Sequence, residues 1–110
     1  MNTRKLMIAF VGLAMTAGAA SAASAQATFD QTHPRRAEVN GRLENQDRRI
    51  NREQRQGEIS PAKAYRLHRA DRRMRGEERR FARHDNGHIT RGEQHGLNRQ
   101  ENAVSHRIGR

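Results

Sequence analysis

Gln56-Gly57-Glu58-Ile59-Ser60 recurs thirty residues later as Asn86-Gly87-His88-Ile89-Thr90. In each copy a glycine is followed by an isoleucine and then a hydroxyl residue. Glycine readily adopts the left-handed backbone that ends helices, and Ser or Thr commonly caps the start of the next helix. We therefore predict that Gly57 and Gly87 end helices and that Ser60 and Thr90 begin them.

The residues that surround these helix ends and caps predict the rest of the fold. Pro61 follows Ser60 at the first helical position, where proline is favoured, and Glu93 completes a capping box with Thr90. Apolar residues recur about every seven positions, as in coiled-coil seams: Val39, Leu43 and Ile50, then Leu67, Met74 and Phe81, then Leu97, Val104 and Ile108. The expected fold is all-α, with three amphipathic helices at about 35–56, 60–84 and 90–108 arranged as an elongated hairpin or a bundle.

The apolar content is low for a self-sufficient core. Leu, Ile, Val and Phe make up only 11 of the 85 residues after Ala25, below the ~20% that, with high net charge, marks disordered chains. Ordering each residue costs about 1–2 kcal/mol of backbone entropy. We therefore expect a homo-oligomer, or ordering on a partner. Ile59 and Ile89, just before the caps, are expected to act as hydrophobic staples.

The first 25 residues have the form of a secretory signal peptide. Arg4 and Lys5 precede an uncharged run from Leu6 to Ala20. This run is shorter than the ~20 residues that span a bilayer as a helix, and no later stretch is apolar enough for a transmembrane span. Because the chain has no cysteine, it has no lipobox. The predicted location is the periplasm or the medium.

A small-x-small cleavage site follows the apolar run. Ala23 and Ala25 occupy its small positions, so cleavage is expected before Gln26. The predicted organisation is a signal peptide helix within residues 1–25, a flexible lead-in over 26–34 and a helical domain over 35–110.

Arginine dominates the charge of the chain. Lys and Arg total 22 against 12 Asp and Glu, a formal net charge of +10, or about +8 without Arg4 and Lys5. Arginine binds carboxylate and phosphate bidentately, so acidic or unfolded polypeptides, or anionic envelope components, are the expected partners. The alternative is a GC-rich genome that encodes arginine in place of lysine. With few aromatics for base stacking and an export signal, no nucleic-acid partner is expected.

The second copy of the repeated phrase carries the candidate metal ligands. Residues 82–93 overlay the later half of an EF-hand loop, but Ala82 and His84 occupy positions that need oxygen ligands. Calcium is therefore not expected. The remaining candidates for zinc, nickel or copper are His84, His88, His95, Asp85 and Glu93. The alternative is that the histidines are solvated loop side chains.

Catalytic motifs are absent from the sequence. There is no cysteine nucleophile, GxSxG elbow, glycine-rich phosphate loop or HExxH motif. Ser60 and Thr90 are explained as helix caps. We expect neither an enzyme nor a cofactor.

The segments Asp85 to Thr90 and Leu97 to Ser105 carry a resemblance. With them, residues 46–107 resemble small exported proteobacterial proteins rich in Arg and Gln, whose helices are joined by G-x-[IL]-[ST] turns and whose activity is uncharacterised. Ile89-Thr90-Arg91-Gly92-Glu93 is also similar to the LTxxQ box of Spy/CpxP-type periplasmic stress chaperones, with Ile for Leu and Glu for Gln. This second likeness implies a small helical dimer.

These observations lead to one expected function and two alternatives. We expect an exported, non-enzymatic, basic helical protein with a chaperone-like or stress-related role in binding acidic or unfolded clients. The alternatives are an envelope metal-binding or metal-sensing protein and a cationic binder of anionic envelope polymers.

Overall fold

The computed structural model describes residues 22–109. They form helix α1, whose described part is residues 22–32, and three further helices: α2 (Pro34–Arg55), α3 (Pro61–His84) and α4 (Arg91–Ile108). No strand occurs among the described residues. The predicted all-α class and the three helices are confirmed, with helix bounds within a residue or two of the expected ones.

The chain divides into two compact units between Thr32 and His33. In the second unit α2, α3 and α4 each pack against both of the others, to about the same extent. Of the two predicted arrangements, the structure is therefore a three-helix bundle. Helix α3 runs through Gly76 without a break, so at 1.5 Å per residue it keeps the two interhelix turns about 36 Å apart.

The first turn ends α2 as predicted. Gln56 is the C-cap, and Gly57 follows with a φ of 74°. The Gly57 N–H donates to the Gln54 carbonyl at 3.1 Å, and the Glu58 N–H donates to the Glu53 carbonyl at 2.9 Å. These two bonds make a Schellman motif, in which the left-handed residue is normally glycine.

The Ser60 hydroxyl oxygen caps the start of α3. It accepts a hydrogen bond from the Lys63 N–H at 3.1 Å, and Pro61 fills the first helical position. The N-cap prediction at Ser60 is confirmed.

The second turn differs from its prediction by one residue. Asp85 is the C-cap of α3, and Asn86, not Gly87, is the first left-handed residue, with a φ of 51°. Gly87 follows with a φ of 90° and donates its N–H to the Ala82 carbonyl at 2.7 Å. Asparagine tolerates the left-handed region better than most residues, so Gly87 closes the turn one position later than expected.

Thr90 then begins α4 with the predicted capping box. Its hydroxyl oxygen accepts from the Glu93 N–H at 3.1 Å, and Glu93 Oε1 accepts from the Thr90 N–H at 2.8 Å. The prediction of Thr90 as an N-cap is confirmed.

The bundle core uses nearly all of the apolar side chains predicted to form seams. Twelve apolar residues are buried in one cluster: Val39, Leu43, Ile50, Ile59, Ala64, Leu67, Met74, Ala82, Ile89, Leu97, Val104 and Ile108. Ile59 and Ile89 belong to it, although they lie outside the helices. Within residues 22–109 the one large apolar side chain that is exposed is Tyr65. The predicted seams are thus buried within a single chain.

The predicted flexible lead-in over 26–34 is helical as far as residue 32. Local side-chain bonds span single helical turns there: Gln26 Nε2 donates to Asp30 Oδ1 at 2.8 Å, and the Thr28 hydroxyl donates to the Ser24 carbonyl at 3.0 Å. His33 interrupts the helix, and Pro34 starts α2 one residue earlier than predicted.

The signal-peptide prediction falls largely on residues 1–21, which lie outside the described residues. The cleavage-site residues Ala23, Ala25 and Gln26 are exposed and helical. Of the described helices, none combines the length and the apolar character needed to cross a membrane.

Candidate functional site

The residues predicted to bind a metal do not form a common site. Four of them are exposed in or near the second turn: His84, Asp85, His88 and His95. The fifth, Glu93, uses its carboxylate to cap Thr90. Between residues 22 and 109, no three His, Cys, Asp or Glu side chains are placed to hold a metal ion. The predicted ligand set is therefore not assembled.

His88 has a different neighbour, which the sequence did not indicate. Its ring stacks on the ring of His33, with centroids 4.7 Å apart and planes 21° from parallel. His33 lies just before α2 and His88 in the second turn, so the stack joins the start of the bundle to the α3–α4 connection.

Buried polar residues also occupy positions along the helical seams. Five are buried among the described residues: Gln46, Glu53, Asp71, Glu78 and Glu101. Asp71 lies four residues after Leu67 and three before Met74, at the alternating spacing of a heptad seam. This set was not predicted, because the seams were assigned from apolar residues alone. Acids three or four residues from an apolar seam residue, such as Asp71 after Leu67 and Glu101 after Leu97, are the sequence signal for the acidic members of this set.

Asp71 and Asp47 face each other where α3 packs on α2. Asp71 is fully buried, and no other residue donates a hydrogen bond to its two oxygens. Burial, the hydrogen bond with Asp47 and the charges of Asp47 and Glu101 raise the pKa of Asp71 to about 8. The Asp71 carboxyl therefore keeps its proton at neutral pH and donates it to Asp47.

Asp47 is half-buried and collects several hydrogen bonds. Arg75 Nη2 donates to Asp47 Oδ2 at 3.1 Å, and His68 Nδ1 lies 3.0 Å from Asp47 Oδ1. Burial alone would raise the pKa of Asp47, but hydrogen bonds from Asp71, His68 and Arg75 lower it. The other ring nitrogen of His68, Nε2, lies 2.9 Å from Asn51 Oδ1. Both nitrogens of His68 are thus engaged by α2 side chains and neither is presented to a substrate.

Glu101 is the second buried acid with a raised pKa. Burial raises the pKa of Glu101 to about 7, with a further contribution from the charge of Glu38 and opposition from Arg42 and Arg75. Arg42 Nη1 stays 3.9 Å from Glu101 Oε1, beyond hydrogen-bonding distance. The Glu101 backbone carbonyl accepts from Gln46 Nε2 at 2.6 Å. Glu101 thus couples α4 to α2 through its backbone, while its carboxyl group has Arg42 as a distant ion-pair partner and makes no hydrogen bond.

Glu78 is a buried acid with a charged partner. Its side chain is 2% exposed and forms an ion pair with Arg36 Nε. Arg36 Nη1 also donates to the Gly87 carbonyl at 3.0 Å. One arginine near the start of α2 therefore binds both a buried acid of α3 and the turn that follows α3.

The outward side of α3 carries arginines without exposed acids. Seven exposed arginines, here called the α3 arginine face, are Arg66, Arg69, Arg72, Arg73, Arg79, Arg80 and Arg83. The three acids of α3 are directed elsewhere, since Asp71 and Glu78 are buried and Glu77 is half-buried. At 1.5 Å per residue, the face extends about 26 Å from Arg66 to Arg83. No exposed carboxylate of α3 lies among these arginines.

Comparison with known proteins identifies no relative. No protein-family model matches the chain, and neither a curated protein nor a solved structure matches it significantly. The two resemblances drawn from the sequence therefore remain expectations.

Proposed function

We propose that this protein is a non-enzymatic binder of acidic polypeptides, which it holds along the α3 arginine face. The observation that carries the proposal is the separation of charge on α3, with seven arginines exposed and no acid exposed beside them. Surface helices are usually stabilised by opposite charges three or four residues apart, whereas like charges at that spacing repel. A carboxylate-rich partner relieves this repulsion and matches the bidentate geometry of arginine.

The expected export of the chain supports an acidic polypeptide over a nucleic acid. A signal peptide removes the protein from the cytoplasmic pool of nucleic acid, and the described part of the chain exposes Tyr65 as its one large aromatic side chain. Stacking on aromatic side chains is a main source of affinity for single strands. Anionic envelope polymers are the alternative partner. They also carry negative charge that arginine can bind, but they have no peptide backbone.

Burial of the apolar seams limits the ways in which the protein could hold an unfolded client in the chaperone-like role that the sequence suggests. A chaperone that holds unfolded clients by apolar contact needs an exposed apolar surface, and here the apolar cluster lies inside the bundle. We therefore propose that an unfolded client is held through its acidic segments. A denatured acidic protein should be kept soluble, whereas a denatured basic protein should aggregate as it does alone.

Titration with a synthetic polyanion tests the proposal. The purified protein should bind polyglutamate and not polylysine, and the affinity for polyglutamate should fall at least about tenfold between low and moderate salt, because exposed charges are screened. Absence of polyglutamate binding at low salt would remove the proposal. Sedimentation equilibrium in the same buffers checks the expected homo-oligomer.

A further inference from the structure

A cavity lies between the start of α2 and the end of α3. Its volume is about 350 Å³, and it is lined by Arg36, Arg79, Ala82, Arg83 and Gly87. This volume falls at the lower end of the range for small-molecule pockets. Three of its five lining residues carry a guanidinium group, so an anion is the ligand that its chemistry favours.

Arg36 forms the fixed wall of the cavity. The buried Glu78 carboxylate and the Gly87 carbonyl both hold its guanidinium, and its side chain is 18% exposed. An arginine constrained in this way loses little conformational entropy when a ligand arrives, which favours binding.

Arg79 and Arg83 form the open wall. They lie one helical turn apart on the exposed side of α3, and neither has an acidic partner among the residues that the structure describes. The negative end of the helix dipole accounts for an arginine in the last turn, as at Arg83. Arg79 lies one turn earlier, where the interaction with the helix dipole is weak. The dipole therefore does not explain why both Arg79 and Arg83 are arginines.

We propose that this cavity binds a phosphate monoester. The phosphate lies between Arg79 and Arg83 and faces Arg36, and the organic group rests on Ala82 and the arginine stems. A phosphate monoester offers three terminal oxygens and so can accept from more than one guanidinium fork, whereas a carboxylate offers two. The site goes beyond the proposed function, because it takes a compact ligand at one end of the arginine face.

Phenyl phosphate is a suitable probe, with benzoate as its carboxylate counterpart. In an NMR titration of the purified protein, phenyl phosphate should cause saturable shifts centred on the amides of Ala82, Arg83 and Gly87. Benzoate should bind at least about tenfold more weakly, because it offers fewer acceptor oxygens. Shifts that do not saturate, or equal affinity for benzoate, would overturn the proposal.

A charge-matched pair of variants separates the cavity from the general positive field. Arg79→Gln/Arg83→Gln should weaken phenyl phosphate binding at least about tenfold, since two charge-assisted contacts are lost. Arg66→Gln/Arg73→Gln removes the same charge from the far part of α3 and should weaken it less than about threefold, through long-range attraction alone. Equal weakening in the two variants would overturn the proposal. Circular dichroism confirms that both variants are folded.

Polyglutamate binding, measured on the same samples, keeps this inference distinct from the proposed function. If polyglutamate binds and phenyl phosphate does not, the cavity site is excluded and the proposed function is not. Saturable phenyl phosphate binding without polyglutamate binding would support the cavity site and remove the proposed function.

Discussion

Asp71 is fully buried against Asp47 at the α2–α3 interface, and the proton that Asp71 retains is the only donor that its carboxyl group has. Asp47 in turn accepts from Arg75 at 3.1 Å. Asp71 is therefore buried and neutral, while α3 exposes arginines on its outward side. Burial of the α3 acids makes the core polar, and it leaves the exposed side of α3 with arginines and no exposed acid.

The bundle should lose stability as the pH rises from about 4 to about 8. The folded-state pKa is about 8 for Asp71 and about 7 for Glu101, against ordinary values of 3.8 and 4.5. Within this window the folded state holds protons that the unfolded state has released, so a rising pH favours unfolding. Asp47, whose pKa is lowered, has the opposite effect, but only below its ordinary value of 3.8. Circular dichroism melts should show a Tm several degrees lower at about pH 8.5 than at about pH 5. A constant or rising Tm would contradict the raised pKa values.

Asp71→Asn should reduce this pH dependence. An amide of the same shape stays neutral at every pH, so no buried charge develops at position 71. The variant should melt at a higher temperature than the parent protein at about pH 8.5, which lies above the pKa of about 8 of the parent Asp71. Glu44→Gln, which changes an exposed acid on α2, serves as the control and should leave the pH profile unchanged. Identical profiles for both variants would show that Asp71 does not titrate as described.

Arg36→Met should lower the free energy of unfolding by roughly 3 kcal/mol, because it leaves the buried Glu78 carboxylate without its charged partner. The double variant Arg36→Met/Glu78→Met should recover most of this loss, since neither buried charge then remains. Arg80→Met, at an exposed arginine, should change stability by less than about 0.5 kcal/mol. Urea unfolding gives all three values. A double variant as unstable as Arg36→Met would exclude the unpaired carboxylate as the cause.

Thr90→Ala should cost about 1 kcal/mol of stability, because it removes one half of the α4 capping box. Thr90→Ser retains the hydroxyl and should be close to the parent protein. The measurement is again urea unfolding, and an equal loss in both variants would show that the threonine methyl, not the cap, supplies the stability.

Local signals were enough to predict the helices and turns from the sequence. Ser60, Thr90 and Gly57 each act on their own neighbours within a few residues, so their roles follow from residue type and spacing. That Asn86, and not Gly87, is the first left-handed residue of the second turn was not predicted, because both residue types tolerate this region.

The buried acids could not be assigned from apolar spacing. Asp71, Glu78 and Glu101 occupy seam positions, but an acid at a seam position is stable only with neighbours from other helices, such as Asp47 and Arg36. Those neighbours are distant in sequence. Among the described residues the predicted metal ligands are not brought together, and Glu93 is used instead in the capping box with Thr90 that the sequence also predicted.

Two charge-matched triple variants test most directly whether the α3 arginine face binds acidic polypeptides. Arg66→Gln/Arg69→Gln/Arg73→Gln removes three arginines from that face. Arg91→Gln/Arg99→Gln/Arg107→Gln removes three exposed arginines from α4 and leaves the face intact.

Calorimetric titration with polyglutamate at low salt compares them. We predict that the α3 variant binds at least about tenfold more weakly than the parent protein and the α4 variant less than about threefold more weakly. Equal losses would mean that binding follows net charge alone and would contradict a defined binding face on α3.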